Sequence, residues 1–244
     1  MTLAVPGMPR HSEANAIYLL SYQNESWAID SVLVQTPPAY VQVLPQPTGG
    51  VVLAYVATLP NSAPGIDVNS IFVVATSAGR PFSVSAPVNI FKSGRTSAHS
   101  PVAASDASGF MALAWRQMGD TQRPNNIALV TMSRDAGKTW GSHSTLDQGS
   151  SGVLPQVSLL SDASILVISG SALDQSEVIL RTLKDGAIET VGGPWQTETS
   201  PTFGTVGRDS FLLTFTETEE LRTPLGKQHM PVTYLVSVAF CAMK

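Results

Sequence analysis

Residues Ser100 to Trp115 read S-P-V-A-A-S-D-A-S-G-F-M-A-L-A-W: a short apolar stretch opened by proline, a polar turn over Ser105–Gly109, and an unbroken apolar run. The same frame returns from Leu154-Pro155 to Ser169, and again from Ser200-Pro201 to Phe215. From the proline to the end of the second run the distance is 14 residues in all three copies. Val41 to Tyr55 keeps that distance with valine in the proline's place, and Pro9 to Tyr22 gives a looser 13. A third apolar segment follows each copy, at Ile29–Val34, Ile71–Ala75, Ile127–Met132, Val178–Leu183 and Val232–Phe240. Short apolar runs bounded by Gly, Pro, Ser, Asn and Asp are strands, and no helix-length 3.6 pattern interrupts them.

Five such units, over approximately 8–38, 39–96, 97–150, 151–197 and 198–244, predict an all-β chain in one domain: a β-propeller of about five blades of short antiparallel strands. The physical reason is burial. A small twisted sheet that is apolar on both faces cannot cover itself and must stack on its neighbours. Unequal repeat lengths place the variation in loops, the longest being expected at Val56–Asn69 and Thr216–Pro231. The last unit ends soon after its third strand, so its outer strand is expected from the N-terminal segment, which would close the ring and hide an edge.

Composition agrees. Of 244 residues 43% are hydrophobic and only 13% charged, about half the ~25% of an average soluble chain, and 19 Gly and 17 Pro supply the turns. No apolar run approaches the ~18 residues of a membrane helix, so membrane insertion is not expected. A net charge of −4 argues against nucleic acid as a partner. Cys241 is the single cysteine and cannot form an internal disulfide. The four histidines are scattered and no Cys/His cluster accompanies them, so neither a metal nor a cofactor is expected. Met1–Arg10 has no basic start and no apolar core of a secretory signal. That fits a chain kept in the cell, one assembled into a particle, or one whose signal was removed.

One motif goes beyond the strand pattern. Ser133-Arg134-Asp135-Ala136-Gly137-Lys138-Thr139-Trp140 satisfies S-x-D-x-G-x-T-W at Ser133, Asp135, Gly137, Thr139 and Trp140. It resembles the Asp-box of the sialidase (neuraminidase) superfamily, whose members carry this box as the bacterial neuraminidase repeat. Weaker copies stand at Ala75–Phe82 and Thr182–Ile188. Such a turn works as a folding device: Asp135 accepts backbone N–H groups, Gly137 supplies positive φ, and Trp140 packs back on its blade.

The resemblance implies a sialidase-like propeller with the box on the face opposite the binding face. In catalytic members it implies three arginines clamping a carboxylate, a tyrosine nucleophile with its glutamate, and an aspartate acid/base, usually on about six blades. The family's first-blade R-I-P motif is missing here, since Met8-Pro9-Arg10-His11 has proline and arginine in the other order, so no catalytic residue is carried over. Topology puts Glu25, Trp27, Arg95, His99, Arg116, Asp120, Arg123 and Arg222 in loops of the opposite, upper face. An indole with carboxylates and guanidinium groups suits a sugar. The expected function is a non-catalytic module that binds a carbohydrate or a protein surface through its upper loops. One alternative is a sialidase-like glycoside hydrolase (exo-sialidase) clamping its substrate with arginines such as Arg95, Arg116 and Arg222. Another is an architectural subunit of a virion or surface assembly.

Overall fold

The computed structural model describes residues 2–7, 15–23, 25–34, 36–59, 68–77, 88–91, 97–118, 126–148, 154–170, 177–196, 201–207, 209–223 and 226–240. All regular structure in them is antiparallel β. The first sheet holds β1 (Thr2–Gly7), β2 (Asn15–Gln23) and β3 (Ser26–Val34). The second holds β4 (Pro38–Pro45), β5 (Val51–Thr58), β6 (Asn69–Ala75) and β7 (Val88–Phe91). The third holds β8 (Ala98–Ser105), β9 (Met111–Gln117), β10 (Ile127–Ser133) and β11 (Ser144–Gln148). The fourth holds β12 (Gln156–Leu159), β13 (Ile165–Gly170), β14 (Glu177–Lys184) and β15 (Ala187–Gln196), and the fifth β16 (Thr202–Gly207), β17 (Ser210–Thr223) and β18 (Gly226–Ala239). Strands follow chain order in every sheet, and the inner strands lie side by side, β1 by β4, β4 by β8 and β8 by β12. These are the blades of a β-propeller.

The unbroken apolar runs exist because the central strands are covered on both faces. In β5, Val52, Ala54 and Val56 face the third sheet while Leu53, Tyr55 and Ala57 face the first. In β9, Met111, Leu113 and Trp115 meet the second sheet, and Ala112 and Ala114 meet Ile165 and Val167 of the fourth. In β13, Leu166 and Ile168 turn the other way, onto Phe211 and Leu213 of the fifth. Large residues on one side of a strand and alanines on the other let adjacent sheets approach closely. Trp115 is fully buried, and truncation of such a ring costs about 3–5 kcal/mol.

The lower rim is built from repeated turns. Between the first and second strands of sheets two, three and four, Gln46, Asp106 and Leu160 each donate N–H to the carbonyl four residues on, with Gly49, Gly109 and Ala163 at positive φ. The Ser133–Trp140 turn lies beside them. Asp135 accepts the Thr139 N–H at 2.8 Å, the Thr139 hydroxyl at 2.6 Å and the Ser133 hydroxyl at 2.8 Å. Gly137 has φ +82°, and the Trp140 indole, packed against the core between sheets two and three, donates to the Gly137 carbonyl at 3.2 Å. Cross-blade bonds join the rim: Gln46 donates Nε2–H to the Ala136 carbonyl at 2.9 Å, Arg134 reaches Asp185 at 3.3 Å, and Asp209 accepts from the N–H and hydroxyl of Ser161. The weaker copy at Thr182–Ile188 is a two-residue Asp185-Gly186 hairpin with φ +49° and +86°. In the copy at Ala75–Phe82, residues 78–82 lie outside the described residues.

Three expectations are corrected. Thr216–Pro231 is not a loop: β17 and β18 pair without a bulge from Ser210↔Ala239 to Thr223↔Gly226. Pro224, Gly226 and Pro231 read as loop punctuation, yet threonines at 216, 218 and 223 favour strand, and the unbroken ladder carries Pro231 opposite Thr218. The N-terminal segment does not complete the last blade. Thr2–Gly7 pairs with β2 as the inner strand of the first sheet, which therefore starts ahead of residue 8. Among the described residues, the fifth sheet keeps three strands.

Candidate upper-rim site

The ends of β5 and β9 opposite the lower-rim turns form the upper rim. Here β4 and β8 share one irregularity. Ala39 pairs with Val56 and His99 with Arg116, each followed by two bulged residues before Gln42↔Ala54 and Val102↔Ala114 resume the ladder. The first bulged residue has positive φ in both, +49° at Tyr40 and +48° at Ser100. A bulge re-aims the side chains beside it, and it recurs where the sequence frame places its proline or Val41. The segment is pinned from outside. Met118 donates its N–H to the Ser97 carbonyl at 2.8 Å, Asn69 donates its N–H to the Ser97 hydroxyl at 3.2 Å, and the Thr58 hydroxyl donates to Asn69 Oδ1 at 3.1 Å.

Arg116 and His99 occupy the positions that Val56 and Ala39 hold one blade earlier. In place of an apolar pair stand two basic side chains, both half-buried. Arg116 lies on the face of β9 that carries Ala112 and Ala114, so it is directed at the fourth sheet. Its Nε is buried with no hydrogen-bond partner among the described residues. From the fourth sheet Arg181, opposite Val167 and so on the face turned to the third, donates to the Ser169 hydroxyl. Arg116 and Arg181 thus lie on the faces that the third and fourth sheets turn to each other, Arg181 nearer the middle of its blade. Burial, followed by the neighbouring Arg116 charge, holds His99 below its ordinary pKa, and burial lowers that of Arg116 as well. A half-buried cation with an unpaired N–H attracts an acceptor, above all an anionic one, because its desolvation is uncompensated until a partner arrives.

The remaining candidates are not gathered with this pair. Glu25 is at the exposed β2–β3 tip with φ +60°. Trp27 belongs to β3 rather than a loop, half-exposed and 5.2 Å from the ring of its cross-strand partner Tyr22. Arg222 is in β17, paired with Lys227, instead of an upper loop. His99 and Arg116 are likewise strand residues, since the ladder runs to the rim. Arg95, Asp120 and Arg123 lie outside the described residues. Tyr40 and Arg181 escaped the sequence reading. Tyr40 shares the frame position of Ser100, directly before the residue aligned with Pro101, so the repeat carried its signal; nothing in the sequence set Arg181 apart from other strand arginines. Among the described residues no group of three or more His, Cys, Asp or Glu could hold a metal ion.

Solved structures share this architecture. The α-L-arabinanase of Penicillium chrysogenum, complexed with arabinobiose, matches over 96% of this chain and 70% of its own, with TM-score 0.60 and 14% identity. The chain has a β-propeller fold. The α-L-arabinofuranosidase Arb93A of Fusarium graminearum matches this propeller over 95% of the chain and 70% of its own, again with TM-score 0.60 and 14% identity. The NanB sialidase of Streptococcus pneumoniae matches over 82% and 32%, with TM-score 0.48 and 17% identity. No protein-family model matches the sequence, and no curated protein matches it.

Proposed function

We propose that this propeller is a non-catalytic module that binds an acidic glycan at the upper rim, in the crevice between the third and fourth blades. The observation that carries the reading is the buried Nε of Arg116, unpartnered among the described residues, beside His99, where the second blade has valine and alanine. In this reading Arg116 engages the sugar's carboxylate, His99 hydrogen-bonds a hydroxyl, and the exposed ring of Tyr40 on the second blade offers an apolar platform. The absent first-blade arginine motif supports binding without turnover.

Titration calorimetry with a sialylated trisaccharide against its neutral counterpart tests this. The acidic sugar should bind more tightly, and Arg116→Ala should lose at least tenfold, equivalent to about 1.4 kcal/mol. Equal binding of the two sugars, or an unaffected Arg116→Ala, would refute it. A second reading, a glycoside hydrolase, is favoured by the enzymes whose fold it shares, an arabinanase and an arabinofuranosidase. Turnover of a fluorogenic sialoside or arabinofuranoside that Arg116→Ala abolishes would replace the binding reading with that one.

A further inference from the structure

Val232 to Phe240 reads V-T-Y-L-V-S-V-A-F, with apolar side chains at both parities of the strand. Tyr234, Val236, Val238 and Phe240 turn inward and pack on the cluster that holds Leu166, Ile168, Val178 and Leu180 of the fourth sheet. They are only half-buried, whereas Val178 and Leu180 of β14, the equivalent third strand one blade earlier, are buried. The difference lies beside them. β14 has β15 on its outer side, as β6 has β7 and β10 has β11, while β18 is an edge strand among the described residues. An edge strand carries a row of backbone N–H and C=O groups with which another extended chain can pair.

The space next to this edge is open. Between the third and fourth sheets the outer strands meet, Leu146 of β11 packing with Leu183 and Ile188. On the other face of the fourth sheet such cover is missing among the described residues, and a crevice of about 570 Å³ lies between Glu189 and Val191 of β15 and Asp209 and Phe240 of the fifth blade. Val191 is 44% exposed there. The walls are acidic. Asp162 is matched by Lys184 at 2.7 Å and Asp185 by Arg134 at 3.3 Å, but no cation pairs with Glu189 or Asp209 among the described residues. Asp209 accepts from the N–H and hydroxyl of Ser161, neutral donors that leave its charge uncompensated.

We propose that the lower half of β18 accepts an extended basic segment of a partner protein, which pairs with it as a fourth, outer strand of the fifth blade. The other blades set how the segment enters. Like β15 beside β14, it runs antiparallel to its neighbour, from the lower rim upward. Its first inward-facing residues then meet Glu189 and Asp209 and are lysine or arginine; the next ones lie over the half-buried valines of β18 and are apolar. Backbone pairing supplies the affinity, and the crevice supplies the selection, because an acidic segment would bring like charges together there. The added strand also flanks Leu235, 65% exposed on the outward face of β18.

Fluorescence anisotropy of the full chain with the peptide Lys-Thr-Lys-Thr-Val-Thr-Val-Thr, labelled at its C-terminus, tests this, with circular dichroism verifying the fold of each variant. The peptide should bind saturably, and its counterpart with glutamate for lysine should not. Two further peptides, N-methylated at odd or at even positions, separate strand pairing from charge attraction. Only one set of amides is turned to β18, so one peptide should lose binding and the other keep it. Glu189→Lys, at an exposed position, should weaken binding about tenfold or more, and Glu189→Gln should weaken it less. Absence of saturable binding, equal binding of the two methylated peptides, or full-strength binding to folded Glu189→Lys overturns the proposal.

Discussion

Gly137→Ala puts the lower-rim turn under direct test. Gly137 has φ +82°, and a methyl group there would sit 2.7 Å from Val52 Cγ2 and 3.3 Å from Val52 Cγ1. The backbone term is about 1–2 kcal/mol for a side chain in the left-handed region. The steric term adds about 1–3 kcal/mol, because Val52 is stiff at χ1, wholly buried between sheets two and three, and can yield only by disturbing that core. The variant should therefore lose about 3 kcal/mol in urea unfolding, a melting shift of roughly 6–12 °C for a chain of this size. Val52→Ala alone should cost about 2–3 kcal/mol through its cavity. In the double variant the clash is gone, so its cost should fall short of the sum of the single costs by about 1–2 kcal/mol. Ligand affinity should not change, since Arg116 stands at the other end of β9. A Gly137→Ala protein within about 0.5 kcal/mol of wild type, or strictly additive costs, would refute the claim that this turn locks the second blade to the third.

Asp135→Ala removes an acceptor that ties the turn to Thr139 and Ser133, and should cost about 1 kcal/mol at neutral pH, as for a lost cap. The Thr139 hydroxyl and N–H hold the Asp135 pKa at about 2, below the ordinary 3.8, so the carboxylate's stabilisation is present above pH 4. The stability gap between wild type and Asp135→Ala should narrow as pH falls from 4 towards 2, and a pH-independent gap would count against the hydrogen-bond account. At the upper rim, His99 should titrate below its ordinary 6.5 by NMR, and Arg116→Ala should raise it; an identical titration in the variant would show that the Arg116 charge does not reach it. Since the folded pKa is the lowered one, His99 should reduce stability as pH falls through 6.5 towards that value. Arg134→Ala should change stability by less than about 1 kcal/mol, because its pairing with Asp185 is solvent-exposed on both sides; a larger loss on melting would give that bridge more weight than its exposure allows.

Much of the fold can be read along the chain because each blade repeats a local solution. The frame around Pro101, Pro155 and Pro201 marks the bulge or its equivalent, and Gly109 and Gly137 mark turns that only a few residue types can make. The hairpin past Thr216 could not be read the same way, since its glutamates, Gly226 and its prolines resemble loop sequence until β18 pairs with β17. The upper-rim site was half legible. His99 and Arg116 stand out as ionisable residues in a chain that has few, but their pairing rests on the β8–β9 register across 17 residues, and Arg181 comes to face the third blade from a strand more than 50 residues further on.

By itself the sequence determined the local elements: strands from apolar runs, turns from Gly and Asp, and stacking from runs too apolar to leave either face in water. Only the tertiary structure decided which faces were covered. The order of blades buries both faces of the second, third and fourth sheets and leaves Tyr22, Trp27 and Ile29 of the first exposed. Hydrophobic pattern is a property of each segment, but burial belongs to pairs of segments. The sites of interest here, a buried guanidinium Nε without a hydrogen-bond partner among the described residues and an exposed apolar face, are defined by neighbours that local sequence cannot name.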